Sequence, residues 1–201
     1  MPKPTDDFLQ LVSAARTCRR FDASRELPEG TLSWLVDCAR LTPSAGNLQV
    51  LRYITVQSAK NREKFYPGLA WANYLKEWNG PVEGERPTGY IVVLAGRGPD
   101  NKISAHSLLD TGIAAQTMQL AAWSRGIGTC IFRSFDPKVL GEAVSLPAEL
   151  DIVTVLALGC PVEERRLVPV GEDGSIRYYR DGQGIHYVPK RALKDVLLAQ
   201  Y

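Results

Sequence analysis

The 201-residue sequence lacks nearly every self-contained catalytic kit. It holds two histidines, His106 and His186, and four widely spaced cysteines, Cys18, Cys38, Cys130 and Cys160, with no C-x-x-C pair. That pattern argues against a structural zinc site, and no metal is expected. It leaves four free, mostly buried thiols, as in a reducing cytoplasm. There is no P-loop, no G-x-S-x-G elbow, no H-E-x-x-H, and no G-x-G-x-x-G after the first expected strand. The "RGIGT" stretch has two glycines ahead of a strand, the reverse of the dinucleotide-binding order. Ser44 has no histidine near it in the sequence and reads as a turn residue. A net charge of +2 gives little basis for binding nucleic acid. The longest apolar run, Ile152–Cys160, is far too short for a membrane span. The opening "MPKPTDDFLQ" has no apolar core of a signal peptide, so a cytoplasmic protein is expected. Without built-in acids, bases or nucleophiles, chemistry is best supplied by a bound cofactor.

What is present fits one α+β domain, with helices expected to outnumber strands. Thr5, Asp6 and Asp7 offer a cap and an acidic first turn for a helix with Phe8, Leu11, Val12 and Ala15 on one face. "LPEGTLSWLVDCAR" predicts a second helix, striped by Leu32, Leu35, Val36 and Ala39 and ended by Pro43. Short helices are expected over 59–66 and 70–79. A central helix is expected over 104–125, with Gly126 as its stop. "LRYITVQS", "YIVVLAG", "GTCIF" and "IVTVLALG" read as strands, with a helix from Asp136-Pro137 among them. "GEDGSIRYY" reads as an exposed turn and strand. "VPKRALKDVLLAQY" reads as a last helix with Leu193, Val196 and Leu197 inward.

Two basic clusters stand out: Arg16, Thr17, Arg19 and Arg20 after the first helix, and Lys190 and Arg191 near the end. Guanidinium forks with a hydroxyl suit a phosphate, and a solvated basic surface is the plainer reading. The loop Pro43–Gln49 is of another kind, carrying only small and amide side chains and no charge.

Taken in order, "RTCRRF", "PSAGNLQ", "LLDTGIAAQTMQLAAWSRGIGTC" and "LALGCP" resemble the nitroreductase family of FMN-dependent oxidoreductases over about residues 8 to 191. The resemblance implies a sandwich with a central, mostly antiparallel sheet flanked by helices, intertwined as a homodimer. It implies a single FMN-binding domain over 1–201, a pocket-covering excursion around 67–88 and a carboxyl-terminal arm around 165–201.

It also implies roles for residues. Arg16 and Thr17 would help hold the FMN phosphate and ribityl chain, with Arg19 near the flavin's N1/O2 edge. Arg20 falls at a variable position. Pro43, Ser44, Asn47 and Gln49 match the family's P-S-x-x-N-x-Q, while Val50 and Leu51 replace its usual Pro-Trp. In similar proteins this loop meets the partner subunit's FMN; turn capping is the plainer role for Asn47 and Gln49. Ile131 and Phe132 would lie against the ring, with the backbone N–H groups of Arg133 and Ser134 near N5 and O4. The Arg133 side chain either tunes substrate charge preference or is a surface arginine. Lys190 and Arg191 would close the phosphate site, Arg191 the firmer of the two. Trp71 and Tyr74, with Trp78, would form an aromatic cover over the substrate pocket, or else pack in the core.

The implied activity is ping-pong transfer of hydride from NADH or NADPH, through flavin N5, to a nitroaromatic, quinone or other small electrophile. A flavin-storage protein without nicotinamide turnover, and a specialised flavin dehydrogenase or dehalogenase, are the alternatives.

Overall fold

The computed structural model describes residues 6–201 apart from Asn73 and Lys76, so the Thr5 cap lies outside the described residues. In chain order the elements are α1 (Asp6–Ala14), α2 (Thr31–Arg40), β1 (Arg52–Val56), α3 (Ala59–Phe65), β2 (Gly89–Gly96), α4 (Ala105–Ser124) and β3 (Gly128–Phe132). There follow α5 (Pro137–Val144), β4 (Leu150–Gly159), β5 (Arg165–Pro169), β6 (Tyr179–Arg180) and β7 (His186–Lys190). Among the described residues there are five α-helices, four short 3₁₀ helices and seven strands.

The most apolar strands lie at the centre. β1, β2, β4 and β3 form an antiparallel sheet in that order, and β2 is buried from Gly89 to Ala95. Strand alternation sends Tyr90, Val92 and Leu94 to one face, where they meet Phe65, Phe132 and Leu140. Ile91 and Val93 go to the other face, against Leu32 and Leu35 of α2 and Ala115, Met118 and Ala122 of α4. A strand covered on both faces has no polar side to show, which is why "YIVVL" runs without a break. The molecule is thus an α+β sandwich, helices on both faces of an antiparallel sheet. A second sheet, β5-β7-β6, pairs β5 parallel and β6 antiparallel to β7.

Local chemistry fixes the element ends. The Asp136 carboxylate accepts from the backbone N–H groups of Lys138 (2.9 Å) and Val139 (3.2 Å), capping α5. Ser104 accepts from the Ser107 N–H at the start of α4, and Gly126, at φ +71°, turns the chain out at its end.

Three expectations change. The described residues of 70–79 form turns and extended chain rather than a helix: Trp71 is drawn into the core, its ring 4.7 Å from Phe132 and 6.1 Å from Trp78, and Ala72 has φ 37°. Burial of large aromatic surface overrides the local helical pattern. The last helix is reduced to one 3₁₀ turn, Leu193–Asp195, because Leu193, Val196 and Leu197 meet no apolar surface within the chain and stand exposed. Phe8 also faces outward, while α4 leaves Leu108, Leu109 and Gly112 open along one side.

Candidate functional site

After α1 the chain crosses the ends of β3 and β4 as an extended segment. Thr17 bridges Thr129 in parallel, Phe21 bridges Pro161, and the Cys18 N–H donates to the Thr129 carbonyl at 2.7 Å. From α4, the Gln119 side-chain amide donates to the Thr129 hydroxyl at 3.0 Å. The cost of ordering "ARTCRRF" is thereby spread over backbone bonds to elements that are already rigid.

The segment's arginines take different partners. Arg16 donates to the carbonyl oxygens of Val12 and Ala15, closing the carboxyl end of α1. Burial first, and then repulsion from Arg165, lowers the Arg16 pKa from its usual value. The Arg19 N–H donates to the buried Glu163 carboxylate at 2.5 Å, while its guanidinium lies 4.6 Å from the Tyr178 ring and 3.3 Å from His186 Nε2. Arg180 donates to the other Glu163 oxygen at 3.1 Å, and Arg165 donates to the Arg16 carbonyl at 3.0 Å. Arg20 is taken up by a two-point ion pair with Glu85.

Two adjoining cavities open on this network. The first, about 180 Å³, has Arg16, Thr17 and Arg19 on one wall, Gln116 and Gln119 on another, and His186 and Lys190 on a third. The second, about 270 Å³, is bounded by Ile131, Phe132, Arg133 and Ser134 at the end of β3, and by Tyr74. Arg19 and Tyr178 border both. One chamber is cationic and amide-rich; the other sets the side chains of Tyr74, Tyr178, Ile131 and Phe132 beside Arg19, Arg133 and Ser134. Together they suit a ligand with an anionic tail and a flat, largely apolar head.

Eight of the thirteen cofactor residues proposed from sequence therefore border the paired cavities: Arg16, Thr17, Arg19, Ile131, Phe132, Arg133, Ser134 and Lys190. Arg191 is exposed and borders neither. Tyr74 lines the aromatic chamber, its ring 5.0 Å from Tyr178, whereas Trp71 belongs to the core. Pro43, Ser44 and Gln49 border a separate cavity of about 320 Å³ beside Asp110, whose Oδ1 accepts from the Ala45 N–H at 3.0 Å. Gly46, Asn47 and Gln49 there have φ of 56°, 54° and 50°, and the two non-glycine residues carry a strain that secondary structure does not require. Arg133 is exposed and donates to the Val153 carbonyl at 2.6 Å.

Sequence reading missed Gln116, Gln119, Glu163, Tyr178 and His186. His186 had a signal once β7 is known: His186, Val188 and Lys190 alternate along β7, so all three face the same chamber as the lysine. Glu163 and Tyr178 lie outside the strands and meet Arg19 and Tyr74 from far away in sequence, so no local pattern announces them.

Cys18 and Cys130 stay protonated at neutral pH. Burial pushes both Cys18 and Cys130 up to about 12. Among the described residues no cluster could hold a metal ion.

His186 behaves in the opposite sense. Burial first, then the charges of Arg19, Arg180 and Arg165, lowers its pKa to about 4. The unfolded chain takes up that proton near pH 6.5, so between those values it binds more protons than the folded protein. Stability should fall as pH drops from about 6.5 toward 4. The lowered carboxyls of Asp22, Glu26, Glu85 and Asp181 add their loss only below the ordinary carboxylate range. Urea unfolding at pH 7.0 and pH 5.0 tests this: the drop in midpoint should shrink in His186→Asn, and an equal drop in both proteins would disprove it.

Comparison with known proteins gives a consistent likeness. Residues 12–160 match the model of the nitroreductase family. The chain is 24% identical over 168 residues to a candidate NADH dehydrogenase/NAD(P)H nitroreductase of Archaeoglobus fulgidus, covering 80% of this chain and 88% of the relative. It is 27% identical over 182 residues to a 5,6-dimethylbenzimidazole synthase of Rhodospirillum rubrum, covering 81% and 86%. The crystal structure of a candidate nitroreductase from Desulfovibrio desulfuricans, in complex with FMN, superposes with a TM-score of 0.67 at 18% identity, over 100% of this chain and 99% of the other.

Proposed function

Because this chain belongs to the nitroreductase family of oxidoreductases, we propose that it binds FMN across the paired cavities and transfers reducing equivalents from NADH or NADPH to a small electrophilic acceptor. The observation that carries this reading is the pairing itself, a cationic, amide-lined chamber opening onto an aromatic one past Arg19 and Tyr178. The donor set fits the cofactor. Arg16 and Lys190 would hold the phosphate, and Thr17 and the Gln116 and Gln119 amides the ribityl hydroxyls. Ile131 and Phe132 would hold the ring, and Arg19 would steady negative charge on it.

FMN held there would supply two-electron chemistry, carrying reducing equivalents from a nicotinamide to a nitroaromatic, quinone or activated alkene. The protein's own residues bind, orient and shelter. Donor and acceptor take turns in the chamber beside Tyr74, which suits ping-pong kinetics. The FMN complex of the similar D. desulfuricans protein and the name of the A. fulgidus relative support cofactor and reductant. The R. rubrum relative, named a synthase of 5,6-dimethylbenzimidazole, favours a second reading in which the flavin serves a specialised reaction.

The working form is a homodimer. The open side of α4 (Leu108, Leu109, Gly112), the exposed apolar arm after Arg191 and the strained Pro43–Gln49 loop are the surfaces that a second copy would cover. Among the described residues no helix is long and apolar enough to cross a membrane, and a cytoplasmic location belongs to this same reading. Titrating the apoprotein with FMN tests the assignment: quenching should saturate at one FMN per chain in a dimer by light scattering. A protein that binds no FMN, or binds it fully as a monomer, would overturn it.

A further inference from the structure

His186 is the least explained group in the molecule. Its imidazole is 1% exposed on β7, its Nε2 lies 3.3 Å from Arg19 Nη1, and its Nδ1 is buried with no hydrogen-bond partner. A guanidinium offers only N–H groups, so Nε2 must be the acceptor in that contact. The ring is neutral at pH 7, held so by burial and by Arg19, Arg180 and Arg165. A neutral imidazole that accepts at Nε2 carries its proton on Nδ1. The neighbouring carboxylate, Glu163, is committed to the Arg19 N–H and to Arg180. The fold therefore buries an N–H donor that no group among the described residues satisfies, a cost folded proteins seldom bear without a ligand or water to meet it.

We propose that the Nδ1–H of His186 donates to an acceptor on bound FMN, making His186 a cofactor-binding residue whose tautomer is set by Arg19. The proposal rests on the FMN reading of the paired cavities. His186 shares its chamber with Arg16, Thr17, Gln119 and Lys190. Tyr178 packs on the imidazole at 5.2 Å and over Arg19 at 4.6 Å, at the border of both chambers. Each member of the arrangement has a distinct role. Glu163 fixes the Arg19 backbone, Arg19 fixes the tautomer, and His186 presents a donor to the chamber without adding charge.

The chain's two histidines make this directly readable by long-range ¹H–¹⁵N correlation on the wild-type protein at pH 7. His186 should show the Nδ1–H tautomer in the apoprotein, and FMN should move its Nδ1 signals while leaving those of His106 in place. By fluorescence titration, His186→Leu should bind FMN about tenfold more weakly, and His186→Asn, whose amide keeps a donor near the Nδ1 position, should recover most of that loss. An Nε2–H tautomer, or unmoved His186 signals with FMN bound, would overturn the proposal and leave the FMN site standing. So would a folded His186→Leu that binds FMN as the wild type does. A wild-type protein that fails to bind FMN would remove the site and this proposal together.

Discussion

Arg16→Ala is expected to weaken FMN binding by roughly ten- to a hundredfold while hardly changing the affinity for riboflavin. A charge-assisted hydrogen bond to phosphate is worth about 1.5–3 kcal/mol, and riboflavin has no phosphate to lose it. The contrast separates lost phosphate recognition from general damage to the cavity. Such damage has a route here, because Arg16 also closes α1 through the carbonyl oxygens of Val12 and Ala15, and fraying of that end should cost about 0.5–1 kcal/mol. Lys190→Ala should show the same FMN-selective loss, smaller because an ammonium grips phosphate at one point. Arg191→Ala should have little effect, since the residue stands outside both chambers. Equal losses for FMN and riboflavin in Arg16→Ala would place the phosphate elsewhere.

The largest stability loss is expected at Phe21, the last residue of the same segment. Its ring is wholly buried, and the Cβ that alanine would add at Gly159 would come within 2.9 Å of it. Phe21→Ala removes this packing at the crossing of the segment and the end of β4, and core truncations of this size cost about 3–5 kcal/mol. Gly159→Ala attacks the same contact by overpacking and should cost about 1–3 kcal/mol. Both appear as lower urea midpoints at unchanged slope. Each should also weaken FMN binding, because Arg16, Thr17 and Arg19 are held by the backbone that Phe21 anchors. A Phe21→Ala protein of near-wild-type stability would show that the segment is fixed by its hydrogen bonds alone.

These two residues mark how far the sequence could be read. Four central strands were legible as β-branched and aromatic runs, unbroken where both sheet faces are covered, with Tyr90, Val92 and Leu94 facing one way and Ile91 and Val93 the other. The long helix was legible from its recurrence every three or four residues. The basic clusters were visible in sequence, but charge alone suits a solvated surface equally; the family resemblance singled out Arg16, Thr17, Arg19 and Lys190, which border the cavities. Trp71 was ambiguous in sequence, because an aromatic side chain suits a core and a pocket cover equally; its contact with Phe132 decides for the core. The arm beyond Arg191 has a helical stripe in sequence, but Leu193, Val196 and Leu197 have nothing to pack on within one chain. Glu163, Tyr178 and His186 reach the site through long-range pairing, with Glu163 answering Arg19 across 144 residues. The alternation of His186, Val188 and Lys190 along β7 is evident only once the strand itself is known.

The uncharged Pro43–Gln49 loop fits the same scheme. Its amides can donate and accept without titrating, and its left-handed Asn47 and Gln49 hold them in a strained arrangement that a partner's cofactor would justify. Asp110 secures the loop through the Ala45 N–H and lines its cavity.

The most direct measurement is anaerobic mixing of the FMN-loaded dimer with NADH and, separately, NADPH, followed by the absorbance of the oxidised flavin. Bleaching by at least one of them, with colour restored when a quinone is added afterwards, is the expected result. A dimer that holds FMN but is bleached by neither would contradict a nicotinamide-dependent oxidoreductase and leave a flavin-binding protein with another electron donor or another role.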